Sequence, residues 1–219
     1  GDKAGVDPKE FQKYFERHAR FTAGMGTHYR PSAICGQGTH QHLTTGFVIG
    51  TRFHSAPVLR VSDARPVQLG HAGKADGRWR FYAFAGAKEG VDTNGGVRGL
   101  CEFLQESPDS PVRKYTRAGQ DIDSVFDLRA VFQQAHTGLD IMSLPALLLP
   151  MKGVHGLRDY EKVFCPDPKN PADIFDLRGI DRMQGALVVV RPDQYIAHVL
   201  PLDAHARAVT LRLESLEGS

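Results

Sequence analysis

GALVVVRPDQYIAHVLPLD, Gly185 to Asp203, decides how the chain is read. The run Ala186 to Val190 is uniformly apolar, and Arg-Pro-Asp-Gln follows it. A second run then alternates, with Tyr195, Ala197 and Val199 on one face and Ile196, His198 and Leu200 on the other. An apolar run, a turn and period-two alternation predict a strand, a tight turn and a second strand. Pro192 presets φ for the turn, and the Asp193 carboxylate can accept from the backbone two residues on. A buried hairpin of this kind belongs to a scaffold.

Strand texture also marks the region upstream. FVIGTRFHSAPVLRV (47–61), PVQLGHAG (66–73) and GRWRFYAFAG (77–86) read as strands, with Asp76-Gly77 as a turn before the last. In that last strand Trp79, Phe81 and Ala83 share one face, with Arg78, Arg80 and Tyr82 opposite. A helix follows in GGVRGLCEFLQESP, capped from Asp92, Thr93 or Asn94 and ended by Pro108. SVFDLRAVF (124–132) is a further strand, LPALLLPMKG a short buried run between Pro145 and Pro150, and VFCPDPKNPADIF a proline-rich loop. Ala204 to about Leu216 reads as a closing helix.

At the other end, Asp7 to about Thr22 predicts an amphipathic helix. Asp7 is its N-cap, Pro8 stands at N1, and Glu10 completes a capping box. Phe11, Tyr14, Phe15, His18 and Phe21 form its apolar stripe, and Gly24 and Gly26 stop it. The connector GTHYRPSAICGQGTHQHLTTG (26–46) has no periodicity and is too long for a routine loop, so it reads as an arm or linker. The expected class is α/β: a thioredoxin-like mixed sheet with flanking helices, preceded by an N-terminal helix and an extended arm. FDLR occurs at Phe126–Arg129 and again at Phe175–Arg178, which is too little to make a repeat.

Bulk properties narrow the function. With 27 basic and 25 acidic residues the formal charge is +2, so no electrostatic drive toward nucleic acid is visible. No apolar run reaches the roughly 18–20 residues that span a bilayer, so no membrane partner is expected. The polar start, GDKAGVDPKE, is not a signal peptide. Gly1 in place of Met, so close to a helix, reads as a piece of a longer protein. Three scattered cysteines without a CxxC suit a reducing cytoplasm and exclude a thioredoxin-type redox centre.

Candidate sites stay incomplete. His40 and His42 could share a metal if they lay on a strand, with His28 and His54 nearby, but no carboxylate or cysteine stands at ligand spacing. Gly24-Met25-Gly26, Gly36-Gln37-Gly38 and Gly95-Gly96-Val97-Arg98-Gly99 each lack the full dinucleotide-binding glycine pattern. Helix capping is the plain reading of the third, with anion binding at that helix start the alternative. Cys101 is expected on a buried helix face, and Cys165 to be more exposed but without a base. Adjacent His54 and Ser55 would point to opposite faces of a strand. Arg52, Arg60, Arg78 and Arg80 on neighbouring strands form either a solvated sheet face or a surface for an acidic partner domain.

Four stretches together carry a family resemblance. They are YFERHARFTAGMGTHY (14–29), TTGFVIGTRFHSAPVLRVSDARPVQLGH (44–71), DGRWRFYAFAG (76–86) and DIFDLRGIDRMQGALVVVRPDQYIAHVLPLD (173–203). In that order they resemble the C-terminal part of FAD-dependent aromatic hydroxylases of the phenol hydroxylase and 3-hydroxybenzoate 4-hydroxylase type. The resemblance implies a thioredoxin-like domain without redox cysteines that contributes to a homodimer. Residues 1–42 would be the helix and linker arm from the preceding catalytic region, and 43–219 the domain itself. FAD and NADPH would serve domains upstream, where a phenolic ring is hydroxylated in the cytoplasm. No catalytic, cofactor-binding or metal residue is carried over to this chain. A stand-alone thioredoxin-like ligand-binding module and a thiol enzyme are the alternatives.

Overall fold

A computed structural model describes residues 7–10, 12–14, 26–87 and 96–203. Its main sheet contains β1 (Pro57–Arg60), β2 (Arg65–Gln68), β3 (Trp79–Phe84), β4 (Phe126–Val131), β7 (Val163–Cys165), β8 (Ala186–Val190) and β9 (Ile196–Leu200). The spatial order is β2-β1-β7-β4-β3-β8-β9. A separate hairpin pairs β5 (Met151–Lys152) with β6 (Leu157–Arg158). The helices are α1 (Leu69–Ala72), α2 (Gly96–Glu106), α3 (Pro111–Tyr115) and α4 (Ile174–Leu177). None of the helices described is long and apolar enough to cross a membrane.

β3 and β4 run parallel, joined through α2, and β7 continues parallel to β4. β8 turns back antiparallel along β3, and β9 pairs antiparallel with β8. A β-α-β unit followed by a terminal hairpin, in the order β4-β3-β8-β9, is the thioredoxin-like arrangement. β1 and β2 add an antiparallel ribbon beyond β7.

The apolar run of β8 implies cover on both faces, and both are covered. On one face Phe81, Ala83, Leu128, Ala130, Leu187 and Val189 pack with Val97, Leu100, Cys101 and Leu104 of α2. On the other, Tyr82, Phe84, Val131, Val188 and Val190 meet Ile174 and Phe175 of α4. That second face is completed by Cys35, Leu43, Phe47 and Ile49. Phe47, Phe53 and Tyr82 form a continuous stack, with centroids 4.7 and 4.4 Å apart.

The segment expected to be an arm therefore lies along the sheet. Residues 50–53 run antiparallel to 194–196: Gly50 N–H donates to Ile196 O, Ile196 N–H to Thr51 O, and Phe53 N–H to Gln194 O. Gly36 N–H reaches the carbonyl of Ala197 at 2.8 Å. The strand expected over 47–61 is real only at Pro57–Arg60; the part before it is held by side chains instead. Gln41 does most of this holding. Its amide donates to Thr44 O and Phe47 O at 2.7 and 2.9 Å and accepts from Ile49 N–H at 3.0 Å.

The terminal hairpin departs from strict alternation. Val189 pairs with His198 and Val190 with Ile196, so Ala197 is an extra residue. This β-bulge puts Ala197 and Leu200 in the α2-side core and Ile196 and Val199 in the other. At the N-terminus Asp7 accepts from Lys9 N–H at 3.0 Å, as a capping residue does. Residues 8–10 and 12–14 are helical, while residues 15–22 of that helix, the closing helix from Ala204, Gly24, and the caps at Asp92 to Asn94 lie outside the described residues.

Gln41→Ala leaves two carbonyls and one N–H of the 44–49 loop without their partner. It is expected to cost about 2–3 kcal/mol, measured by urea unfolding; a loss below about 0.5 kcal/mol would show that the loop does not need the amide.

Candidate functional site

Arg80 and Asp127 face each other across the parallel pair β3–β4, and Lys162 immediately precedes β7. Strand alternation turns all three, with Arg129, to the same face of the sheet. There they are buried: Lys162 is 1% exposed and Asp127 wholly inaccessible. The Lys162 ammonium donates to Asp127 and, at 2.6 Å, to Asp123. Arg129 Nε donates to Asp127 Oδ2 at 3.0 Å, and Arg80 Nε faces the same oxygen at 3.1 Å. Arg78 and Arg80 both reach Asp76 outside this centre. Burial pushes the Asp127 carboxyl up, but Arg129 and Lys162 outweigh it and hold the group at about 2. Burial likewise opposes ionisation of Asp123, and Lys162 and Lys152 overcome it.

The network reaches the surface through Lys152, whose ammonium lies 2.7 Å from both Asp123 Oδ2 and Asp159 Oδ2. Lys152 belongs to β5, so the ion pairs tether the β5–β6 hairpin to the sheet. Gly153 N–H donates to Asp121 Oδ1 at 2.9 Å, and Asp159 N–H to Pro150 O. The hairpin has just two residue pairs and turns through Gly153 and Gly156, both at positive φ. A ribbon so short is not stable without such an anchor. Beyond it the hairpin presents apolar side chains to water. Val154 is 93% exposed and Leu157 70%, with Met151 beside them and Met142 and Tyr160 also exposed. Exposed apolar residues on an anchored element make this hairpin a candidate contact surface. This stretch reads from sequence as an irregular charged segment. The signal that was there is Gly153-Val154-His155-Gly156, two glycines spaced for a tight turn.

The other candidate residues fall elsewhere. His40 caps a 3-10 turn at Gln41–Leu43 and His42 lies within it, rather than both sitting on a strand; their rings are 6.2 Å apart and tilted by 54°. His28 bonds Ile49 O through Nε2. Among the described residues no group of three or more His, Cys, Asp or Glu is placed to hold a metal. Ser55 Oγ accepts from Gly70 N–H, so it serves the backbone. The four arginines share no open face: Arg78 and Arg80 enter the network, Arg60 pairs with Asp63 and Glu161, and Arg52 donates to Gln194 Oε1.

Cys101 is buried in α2, as its helix position implies. Cys165 is buried too, against the expectation of exposure, because β7 lies inside the sheet between β4 and β1. Burial pushes the thiols of Cys35 and Cys165 up, away from the reactive thiolate. Gly86, just after β3, lies against backbone: a Cβ there would meet Met183 O at 2.6 Å. Residues 88–95, which lead into α2 and include Gly95, lie outside the described residues.

Two measurements check this description. Asp127→Asn strands the Lys162 and Arg129 charges and is expected to lower stability by about 3–5 kcal/mol. In the parent sequence the depressed Asp127 pKa stabilises the fold above about pH 4, and that contribution is lost as pH falls toward about 2; urea midpoints between pH 7 and pH 2.5 should fall less steeply in the variant. Ellman's reagent should leave all three thiols unmodified in the folded protein and modify them in urea. One fast thiol under native conditions would contradict the burial.

The signature described as phenol hydroxylase, C-terminal dimerisation domain, matches residues 27–212. A 3-hydroxybenzoate 4-monooxygenase of Comamonas testosteroni is 65% identical over 207 residues, covering 94% of this chain and 32% of that protein. An FAD-dependent monooxygenase, terD, of Aspergillus terreus is 31% identical over 200 residues, covering 90% and 32%. The chain thus spans about a third of the length of these relatives. Among solved structures, a putative protein disulfide isomerase from Bacteroides thetaiotaomicron aligns with a TM-score of 0.44 at 13% identity, over 76% of this chain and 86% of that one. With the signature running from the segment along β9 through the terminal hairpin, the chain belongs to the phenol hydroxylase C-terminal dimerisation domain family.

Proposed function

We propose that this chain is the dimerisation region of an FAD- and NADPH-dependent aromatic ring hydroxylase, and that the β5–β6 hairpin is the core of its contact with a second copy. The observation that carries the reading is the match of residues 27–212 to a dimerisation domain, in a chain whose most exposed apolar side chains cluster on one anchored hairpin. The monooxygenase names of the relatives, each about three times longer than the aligned part, support catalytic domains upstream. Those domains would hold the flavin and receive electrons from NADPH, and the whole protein would work in the cytoplasm. This chain's share is mechanical: it buries apolar surface against its copy and so fixes the positions of the domains attached to it.

The domain itself is proposed to begin near residue 27 rather than at residue 43. The start of the family match and the packing of Cys35 and Leu43 against the sheet support that boundary. The hairpin alone is smaller than a stable interface, which buries about 800 Å² or more per partner. Tyr160, two residues after β6, is exposed as well, and Val154 and Leu157 are the hairpin's apolar centre.

The test is the oligomeric state of the full-length protein. Val154→Asp with Leu157→Asp places two charges at the centre of the contact and should weaken dimerisation by about 100-fold or more, read by analytical ultracentrifugation over a dilution series. Leu177→Asp, at an exposed position at the end of α4, should leave the dimer intact. A double variant that dimerises like the parent would remove the hairpin from the contact. A parent that is monomeric at every concentration would remove the dimer.

A further inference from the structure

A cavity of about 210 Å³ opens between three parts of the chain: Arg52 to Ser55, the α1 segment from Gly70 to Lys74, and the turn Arg191 to Gln194. Arg80 and Tyr82 of β3 form its floor. Its lining contains Arg52, Lys74, Arg80, Arg191, His54 and His71, and no aspartate or glutamate. Some of this charge is already matched: Arg80 by Asp76 and Asp127, and Arg191 by Asp193. Arg52 donates to the neutral amide of Gln194, and among the described residues neither Arg52 nor Lys74 has a carboxylate in ion-pair range.

The backbone around the cavity is also arranged for it. Gln194 holds φ at +70°, a left-handed conformation that costs a non-glycine residue energy, and its side chain is what orients Arg52. Across the cavity Gly73 comes close to the floor, where a Cβ would lie 3.1 Å from Arg80 Nε and 3.3 Å from the Tyr82 hydroxyl. Gly70 N–H is tied to Ser55 Oγ, which fixes α1 against the opposite wall. The result is a preformed concavity, of a size for a small ligand, with excess positive charge and a strained residue holding one cation in place.

We infer that this cavity binds a small oxyanion, a carboxylate or a phosphoryl group, between Arg52 and Lys74. Both source chemistries present the same oxygens to guanidinium and ammonium donors. The site lies on the face of the sheet away from α2 and shares no lining residue with the β5–β6 hairpin.

Isothermal titration of the full-length protein with inorganic phosphate, and separately with sodium acetate, tests the inference. One saturable event per chain is expected, weakening as sodium chloride is raised. Arg52→Gln with Lys74→Gln should weaken it by about tenfold or more. Uptake of phosphate alone would identify a phosphoryl ligand, uptake of acetate alone a carboxylate, and uptake of both a site that reads the oxygens the two share. If the double variant unfolds at lower temperature than the parent, Lys74→Gln replaces it: that side chain is exposed and leaves the fold untouched, and it should still weaken binding by about threefold or more. Absence of saturable uptake of either anion overturns the inference, and so does uptake that these substitutions do not change.

Discussion

Asp127 stands on a central strand with no access to water, and its charge survives because Lys162, Arg129 and Arg80 converge on it from β7, β4 and β3. Three parallel strands thereby share one ionic centre, so their relative register is fixed by charge as well as by the backbone ladder. Desolvating such groups is expensive, and hydrophobic residues of similar volume would serve stability as well or better. What the ionic centre adds is reach. Through Asp123 it extends to Lys152, and through Lys152 to a surface hairpin that could not hold its own shape. The exposed apolar tip is thereby linked to a buried carboxylate through Lys162, Asp123 and Lys152.

The second face of the sheet shows how an irregular segment can replace secondary structure. Residues 28–56 contain one 3-10 turn and some isolated pairing, yet they bury Cys35, Leu43, Phe47, Ile49 and Ala56. The backbone demand that a helix would meet internally is met by Gln41 and by the outer edge of β9. Ala197, the bulged residue, supplies one of those carbonyls. Bulge and segment are thus complementary: the extra residue in β9 turns an acceptor outward, and Gly36 takes it.

What the residues announced in advance follows a physical line. The terminal hairpin, β3, β4 and α2 were legible because each buries a periodic pattern or a continuous apolar run of its own. The packed state of 28–49 was not legible, since nothing periodic marks a loop whose hydrogen bonds run to one glutamine side chain. From sequence Arg80 reads, with Arg52, Arg60 and Arg78, as a solvated sheet face or a surface for an acidic partner domain, because alternation tells which face a residue takes and not whether that face is covered. Cys165 was misplaced for a related reason: Pro166 and Asp167 beside it suggest a loop, while the strand just before them lies inside the sheet. The β5–β6 hairpin offered only two glycines as a clue, and its exposed apolar tip is unremarkable until its surroundings are known.

Among the described residues both lateral margins of the main sheet are poor templates for a further strand. Beside β9 the margin is taken by residues 50–53, and at β2 it carries Pro66, which has no N–H to offer, next to Arg65. Extending one sheet into the next is thus disfavoured there. Where side chains do the recognising instead, affinity can drift by single substitutions without shifting any strand.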